Sequence, residues 1–158
     1  MLLMTDNEPQ PPPLQGIHHL KLPVSDLDTS LTFYERAFGA RRIPEADHRR
    51  TSDGSLYAYI LVVPGLGTAL ELRLDPERAE RHRLFDPVTI AIRDRATLDA
   101  WDEYLTGQGI AHSEVITAIQ AWLIVVPDPD RHRLRLYTLE THGPELAPDE
   151  DNPWVRST

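Results

Sequence analysis

One pattern occurs twice in this chain, and the second occurrence has lost what the first carries. His18-His19-Leu20-Lys21-Leu22-Pro23-Val24-Ser25-Asp26 precedes a stretch of helical periodicity, and Asp86-Pro87-Val88-Thr89-Ile90-Ala91-Ile92-Arg93-Asp94 precedes another. Each copy reads as a short strand, an Asp suited to capping a helix N-terminus, a helix, and a Gly that ends it. More strand-rich sequence follows both. A unit of this size that occurs only twice is too long and too few for a solenoid. Two such units bury their apolar faces in one shared core.

In the first unit, Ile17–Val24 reads as a strand, and Leu27, Leu31, Tyr34 and Phe38 share one helical face before Gly39. Ala40–Pro44 begins a second strand, Asp53-Gly54 signals a hairpin, and Ser55–Val63 and Thr68–Leu74 are further strands. Asp75–Phe85 is a charged connector with room for a short helix. In the second unit, Val88–Arg93 is a strand, and Leu98, Trp101 and Leu105 lie on one helical face before Gly107 and Gly109. Ile110–Ile116, Ala121–Val126 and Leu134–Leu139 read as its remaining strands, with Pro127-Asp128-Pro129-Asp130 turning between the last two. The expected organisation is a Pro-rich, disordered N-terminal tail (1–15), one domain (16–142) and a C-terminal tail (143–158). Within the domain, module one is 16–74, a connector is 75–85 and module two is 86–142. Trp154 in the C-terminal tail is expected to dock on this chain or on a neighbour.

Composition removes whole classes of function. No apolar run approaches a membrane span, and the opening Met-Leu-Leu-Met turns polar too soon for a secretory signal, so a cytoplasmic protein that binds no membrane is expected. The absence of Cys excludes disulfides, thiolate ligands and thiol nucleophiles. A net charge of −9 argues against nucleic acid as a partner, because neutralising phosphates needs a basic face.

The run from Gly16 to Asp28, followed by Phe33-Tyr34-Glu35 and Phe38-Gly39, resembles the opening of the vicinal oxygen chelate superfamily, which includes glyoxalase I, bleomycin-resistance proteins, fosfomycin-resistance transferases and extradiol dioxygenases. The segment from Asp128-Pro129-Asp130 through Leu134-Arg135-Leu136-Tyr137 is similar to the family's closing hairpin. The resemblance implies an α+β fold in which two βαβββ modules form a cupped mixed sheet, commonly in a homodimer. It does not fix an activity, because the superfamily hosts lyases, isomerases, dioxygenases, transferases and pure binders.

Metal enzymes of the family carry ligands on the first and last strand of each module. On the resemblance, His19, seven residues before Asp26, and Glu71 match the two positions of module one. The corresponding positions of module two hold Pro87, seven residues before Asp94, and Arg135. Proline offers no ligating side chain, and a guanidinium repels a divalent cation. Arg135 is instead expected opposite Glu71, replacing the metal's charge. His112, on an expected strand, is the other histidine with a route to the cavity.

Strand parity supplies the remaining cup residues: Lys21 beside His19, Arg73 beside Glu71, and Tyr137 beside Arg135, with Leu134, Leu136 and Leu139 facing the core. Tyr57, Tyr59 and Trp122 lie on strands that line or border the cup and could stack on a planar ligand. Taken singly, each aromatic is better accounted for by packing, and Lys21 and Arg73 are accounted for equally well by solvation at a rim. The reading that follows is a binder of a small anionic or aromatic molecule, with no resident cofactor. The alternative is a divalent-metal lyase, isomerase or dioxygenase using His19 and Glu71. A metal-free variant uses Glu71 as a base with Arg135 stabilising an enolate.

Overall fold

The computed structural model describes residues 8–156. Part of the expected N-terminal tail, residues 1–7, lies outside the described residues; 8–15 are exposed and form no helix or strand. Module one runs β1 (His19–Val24), α1 (Leu27–Phe38), β2 (Arg41–Arg42), a 3-10 turn at Pro44–Ala46, β3 (His48–Arg49), β4 (Leu56–Val62) and β5 (Ala69–Leu74). After α2 (Pro76–Arg81), module two runs β6 (Thr89–Ile92), α3 (Arg95–Gly107), β7 (Ile116–Thr117), β8 (Trp122–Pro127) and β9 (Arg133–Thr138).

The repeat survives in the details that create it. Asp26 accepts from the backbone N–H of Thr29, and Asp94 accepts from that of Thr97, so each helix starts where its side-chain cap satisfies an orphan donor. Gly39 ends α1 at φ 67°, a left-handed conformation that costs glycine little. In each module the first strand runs parallel to the last, β1 on β5 and β6 on β9, and the other pairings are antiparallel. The strand orders are β1-β5-β4-β2, with β3 also on β4, and β6-β9-β8-β7.

Leu22, Val24, Leu70 and Leu72 of the first sheet join Ile124, Val126, Leu134 and Leu136 of the second, with Tyr34, Phe38, Leu98 and Leu105 from the helices, in one core. The opposite, more polar face of each sheet therefore turns away from the other module. A buried polar joint crosses between the modules. Tyr34 on α1 donates to Asp128 Oδ2 at 2.8 Å, and the same oxygen meets His132 Nδ1 at 2.8 Å. Asp128 Oδ1 accepts from the backbone of Asp130 and His132, which closes the turn into β9.

Some expected elements are shorter. Ala40–Pro44 yields only Arg41–Arg42, and Ile110–Ile116 is a loop until β7, because Ser113 pairs with Val125 through its backbone and side chain rather than in a continuing ladder. His112 sits in that loop, held by Asp102 and the carbonyl of Ile110, and so serves the α3 terminus rather than a cavity. Leu139 falls one residue past β9 and is exposed rather than in the core. The C-terminal segment does not hang free: Trp154 and Val155 dock on Ile116, Leu123, Val125 and Tyr137 of this same chain.

Candidate functional site

The polar face of the first sheet gathers chemistry around one buried carboxylate. Strand register arranges it in rows: His19–Ala69–Val62, Lys21–Glu71–Ile60, and Pro23–Arg73–Ala58–His48. Glu71 is at the centre, and its side chain is 2% exposed. A carboxylate so placed needs partners to offset lost hydration. Arg73 donates from Nε to Oε2 at 2.7 Å, and Lys21 Nζ stands 4.0 Å from the same oxygen. Oε1 faces two imidazoles, His19 Nε2 at 3.7 Å and His48 Nδ1 at 3.7 Å. These four partners are each one-third to one-half exposed, so the carboxylate is buried beneath a ring of solvent-facing donors.

Tyr57 belongs to this ring. Two guanidinium groups approach its ring, Arg73 at 5.3 Å and Arg50 at 5.5 Å from the ring centre, and the ring of His48 lies 5.6 Å away. The irregular register between His48 and Arg49 accompanies this placement, since Tyr57 has the parity of the inward-facing Tyr59. One buried anion thus sits beside two cations, Lys21 and Arg73, and a third, Arg50, reaches the neighbouring Tyr57 ring. The patch is locally positive in a chain whose net charge is −9.

The other expected residues are elsewhere. Arg135 does not meet Glu71. It lies on the outer face of the second sheet and donates from Nη2 to Asp86 Oδ2 at 2.6 Å. The opposed faces of the two modules make the expected Glu71–Arg135 pair geometrically unreachable within one chain. Tyr137 shares that second face and packs under the C-terminal segment. Tyr59 points to the helix side, donating to Asp28 on α1 with Arg42 stacked 4.0 Å from its ring centre. Trp122 also faces inward, against the core and beneath Arg95 of α3. Register explains both: Tyr59 pairs with the core residue Leu72, and Trp122 lies one position off the outward-facing Leu123–Tyr137 pair. Sequence reasoning does not find His48 and Arg50 because the stretch after Pro44, residues 45–50, has no strand periodicity. The usable signal was the Asp53-Gly54 turn, which folds position 48 back onto β4.

Among the described residues, no three His, Cys, Asp or Glu side chains are grouped closely enough to hold a metal ion. No helix is long and apolar enough to cross a membrane.

This architecture has known relatives. The sequence model of the glyoxalase/bleomycin resistance protein/dioxygenase superfamily matches residues 16–136. The chain belongs to that superfamily. Within it, the chain is 27% identical over 128 residues to a metallothiol transferase FosB from Bacillus licheniformis, covering 78% of this chain and 75% of the relative. A glyoxylase/bleomycin resistance protein/dioxygenase domain from Frankia sp. EAN1pec superposes with a TM-score of 0.62 at 24% identity, over 80% of this chain and 93% of that one. A mutant fosfomycin resistance protein, FosX, from Listeria monocytogenes, in complex with Mn(II) and 1S,2S-dihydroxypropylphosphonic acid, also gives 0.62, at 18% identity over 79% and 92%. At these identities the structural likenesses establish the superfamily fold and leave the chemistry to the residues.

Proposed function

We propose that this superfamily member binds a small organic anion on the polar face of its first sheet, without the family's full set of metal ligands. The observation that carries the reading is the Glu71 ring. A buried carboxylate holds Arg73 by Nε, which leaves the outer edge of the guanidinium free to form paired hydrogen bonds with a carboxylate or phosphonate. Lys21 adds a point charge, and Tyr57, beside Arg50 and Arg73, adds an aromatic ring at the edge of this cationic patch. Glu71 is the organiser of this face. The Listeria relative, with a phosphonic acid bound, supports an anion as ligand class. The open face suits closure by a second copy, so a homodimer is part of the proposal.

The family's metal requirement fits these residues poorly. Pro87 and Arg135 supply no ligand from module two, and Oε2 of Glu71 is already engaged by two cations. The contrary reading, a divalent ion between His19 and Glu71, draws on the two imidazoles that face Oε1. A metal there would have to displace Arg73 or coexist with it at close range, which Coulomb repulsion opposes.

The test has two arms on untagged full-length protein. Isothermal titration with methylphosphonate and with benzoate should show binding that Arg73→Ala weakens about tenfold to a hundredfold, the loss of a charge-assisted hydrogen-bond pair. Elemental mass spectrometry after exposure to Mn, Fe, Co, Ni and Zn should show substoichiometric metal. Near-stoichiometric metal that disappears in His19→Ala would overturn the reading in favour of a metal enzyme.

A further inference from the structure

The outer face of the second sheet is already covered, by this chain's own C-terminus. Asp149 donates its backbone N–H to Thr117 O at 2.9 Å, at the β7 edge. Asn152, 6% exposed, donates to Glu114 Oε1 at 2.8 Å and receives the Trp154 N–H on its own Oδ1. Arg133 donates to the carbonyl of Trp154, and Arg135 to that of Val155. A cavity of about 280 Å³ remains between this segment and the sheet, walled by Ile116, Leu123, Tyr137, Arg135, Pro148 and Val155.

The root of the segment is held by one imidazole. His142 Nδ1 lies 2.8 Å from Gly143 O, and Nε2 lies 2.9 Å from Ala118 O, in the β7–β8 turn. Both contacts are to carbonyl oxygens, which only accept. A neutral imidazole has one donor and one acceptor nitrogen, so it would aim a lone pair at one of these carbonyls. Only the imidazolium satisfies both.

We infer that Gly143–Arg156 is a strap that closes the second sheet, and that His142 is its pH-sensitive latch, engaged as the imidazolium and loosened when the ring loses its proton. The groups around the ring agree. Glu145 on the strap contributes a negative charge, and the Ala118 and Ala121 carbonyls face it from the β7–β8 turn. Trp122 of β8 lies 5.1 Å away, and the guanidinium of Arg95 on α3 is stacked on that indole. The Gly143 carbonyl foremost raises the His142 pKa above the usual histidine value; burial, next in size, opposes it, and the Ala118 and Ala121 carbonyls and Glu145 add smaller contributions to the rise. A raised folded-state pKa means that the latch contributes fully below the ordinary histidine pKa and is lost as pH rises through the raised value. Release uncovers Arg133, Arg135, Tyr137 and the cavity, a face separate from the Glu71 ring.

Hydrogen exchange with mass spectrometry on the full-length protein tests this, at about pH 5.5 and about pH 8.5, either side of the histidine range, with rates corrected for intrinsic exchange. Strap peptides of the unmodified protein should be better protected at the lower pH, by about tenfold for each unit by which the latched pKa exceeds the unlatched one. His142→Ala and His142→Gln should remove that difference while β8 and β9 stay protected. Asn152→Ala should open the strap at both pH values. Strap protection that is unchanged between the two pH values, or equal to that of both His142 variants at the lower one, would overturn the latch. Strap peptides that are unprotected at the lower pH in the unmodified protein would overturn the strap itself.

Discussion

Tyr34 and Asp128 offer the sharpest test of how the two modules hold together. Tyr34→Phe removes only the hydroxyl that donates to Asp128 Oδ2 at 2.8 Å, in a side chain that is 2% exposed. Asp128 Oδ2 keeps His132 Nδ1, so the carboxylate is not orphaned. The loss is then one hydrogen bond to a charged acceptor, about 1.5–2 kcal/mol. For a chain of this size that is a fall in melting temperature of about 3–8 °C. Asp128→Ala is harsher. It strands the Tyr34 hydroxyl and His132 Nδ1 in the interior and takes the backbone acceptor from the turn, for about 3–5 kcal/mol. In the Asp128→Ala background the Tyr34 hydroxyl has no partner left to lose, so adding Tyr34→Phe should then be neutral or slightly stabilising. Urea unfolding of the four proteins gives the cycle directly, with an expected coupling of about 1.5 kcal/mol or more. Strict additivity, or a Tyr34→Phe variant as stable as the parent, would refute the claim that this joint carries interface energy.

The same hydroxyl predicts behaviour in base. Burial, then the Asp128 carboxylate, holds the Tyr34 pKa well above the usual tyrosine value, so the folded state retains a proton that the unfolded chain gives up. Its contribution is intact below about pH 10 and declines as pH rises further, and Tyr34→Phe should flatten the alkaline limb of a stability–pH curve. At Gly39 an added Cβ meets only Pro64 at 3.8 Å, so Gly39→Ala should cost about 1–2 kcal/mol, by its left-handed φ alone, in a thermal melt. Glu71→Ala should weaken anion binding by freeing Arg73 and leave metal content unchanged; a variant with parental affinity would remove Glu71 from the site.

Much of the fold was legible because its signals are local. An Asp that accepts from the amide three residues on, and a glycine at positive φ, act within one turn of helix, and both can be read off Asp26, Asp94 and Gly39 without knowing the rest of the molecule. The strands that failed are those that depend on partners. Arg41–Arg42 and Ile116–Thr117 are two-residue edges whose length is set by what β4 and β8 offer, and Ser113 leaves the expected strand because its hydroxyl finds Val125 instead. The 143–158 segment reads as a tail on composition, rich in Pro and acid, yet one buried Asn and a Trp–Val pair anchor its described part, residues 143–156.

The site shows where parity reasoning holds and where it stops. Parity puts His19, Lys21, Glu71 and Arg73 on one face, and the structure brings these four side chains together because β1 and β5 are regular and paired in register over all six residues. It failed where a strand is irregular or a contact spans modules. Parity alone puts Tyr57 with Tyr59, but the two diverge across the irregular β3–β4 pairing, one to the cation ring and one to Asp28. An Arg135–Glu71 pair within one chain requires both of its modules to line one cup. The shared core forbids this, since the leucines flanking each residue, Leu70 and Leu72 on one side and Leu134 and Leu136 on the other, are what the two modules bury together. Residues that alternate with those leucines must face outward on both sheets. Arg135, at the position where the family resemblance implies a ligand in module two, therefore lies on the face that the chain covers with its own Trp154 and Val155, whereas Glu71 lies on the face that the described residues leave open.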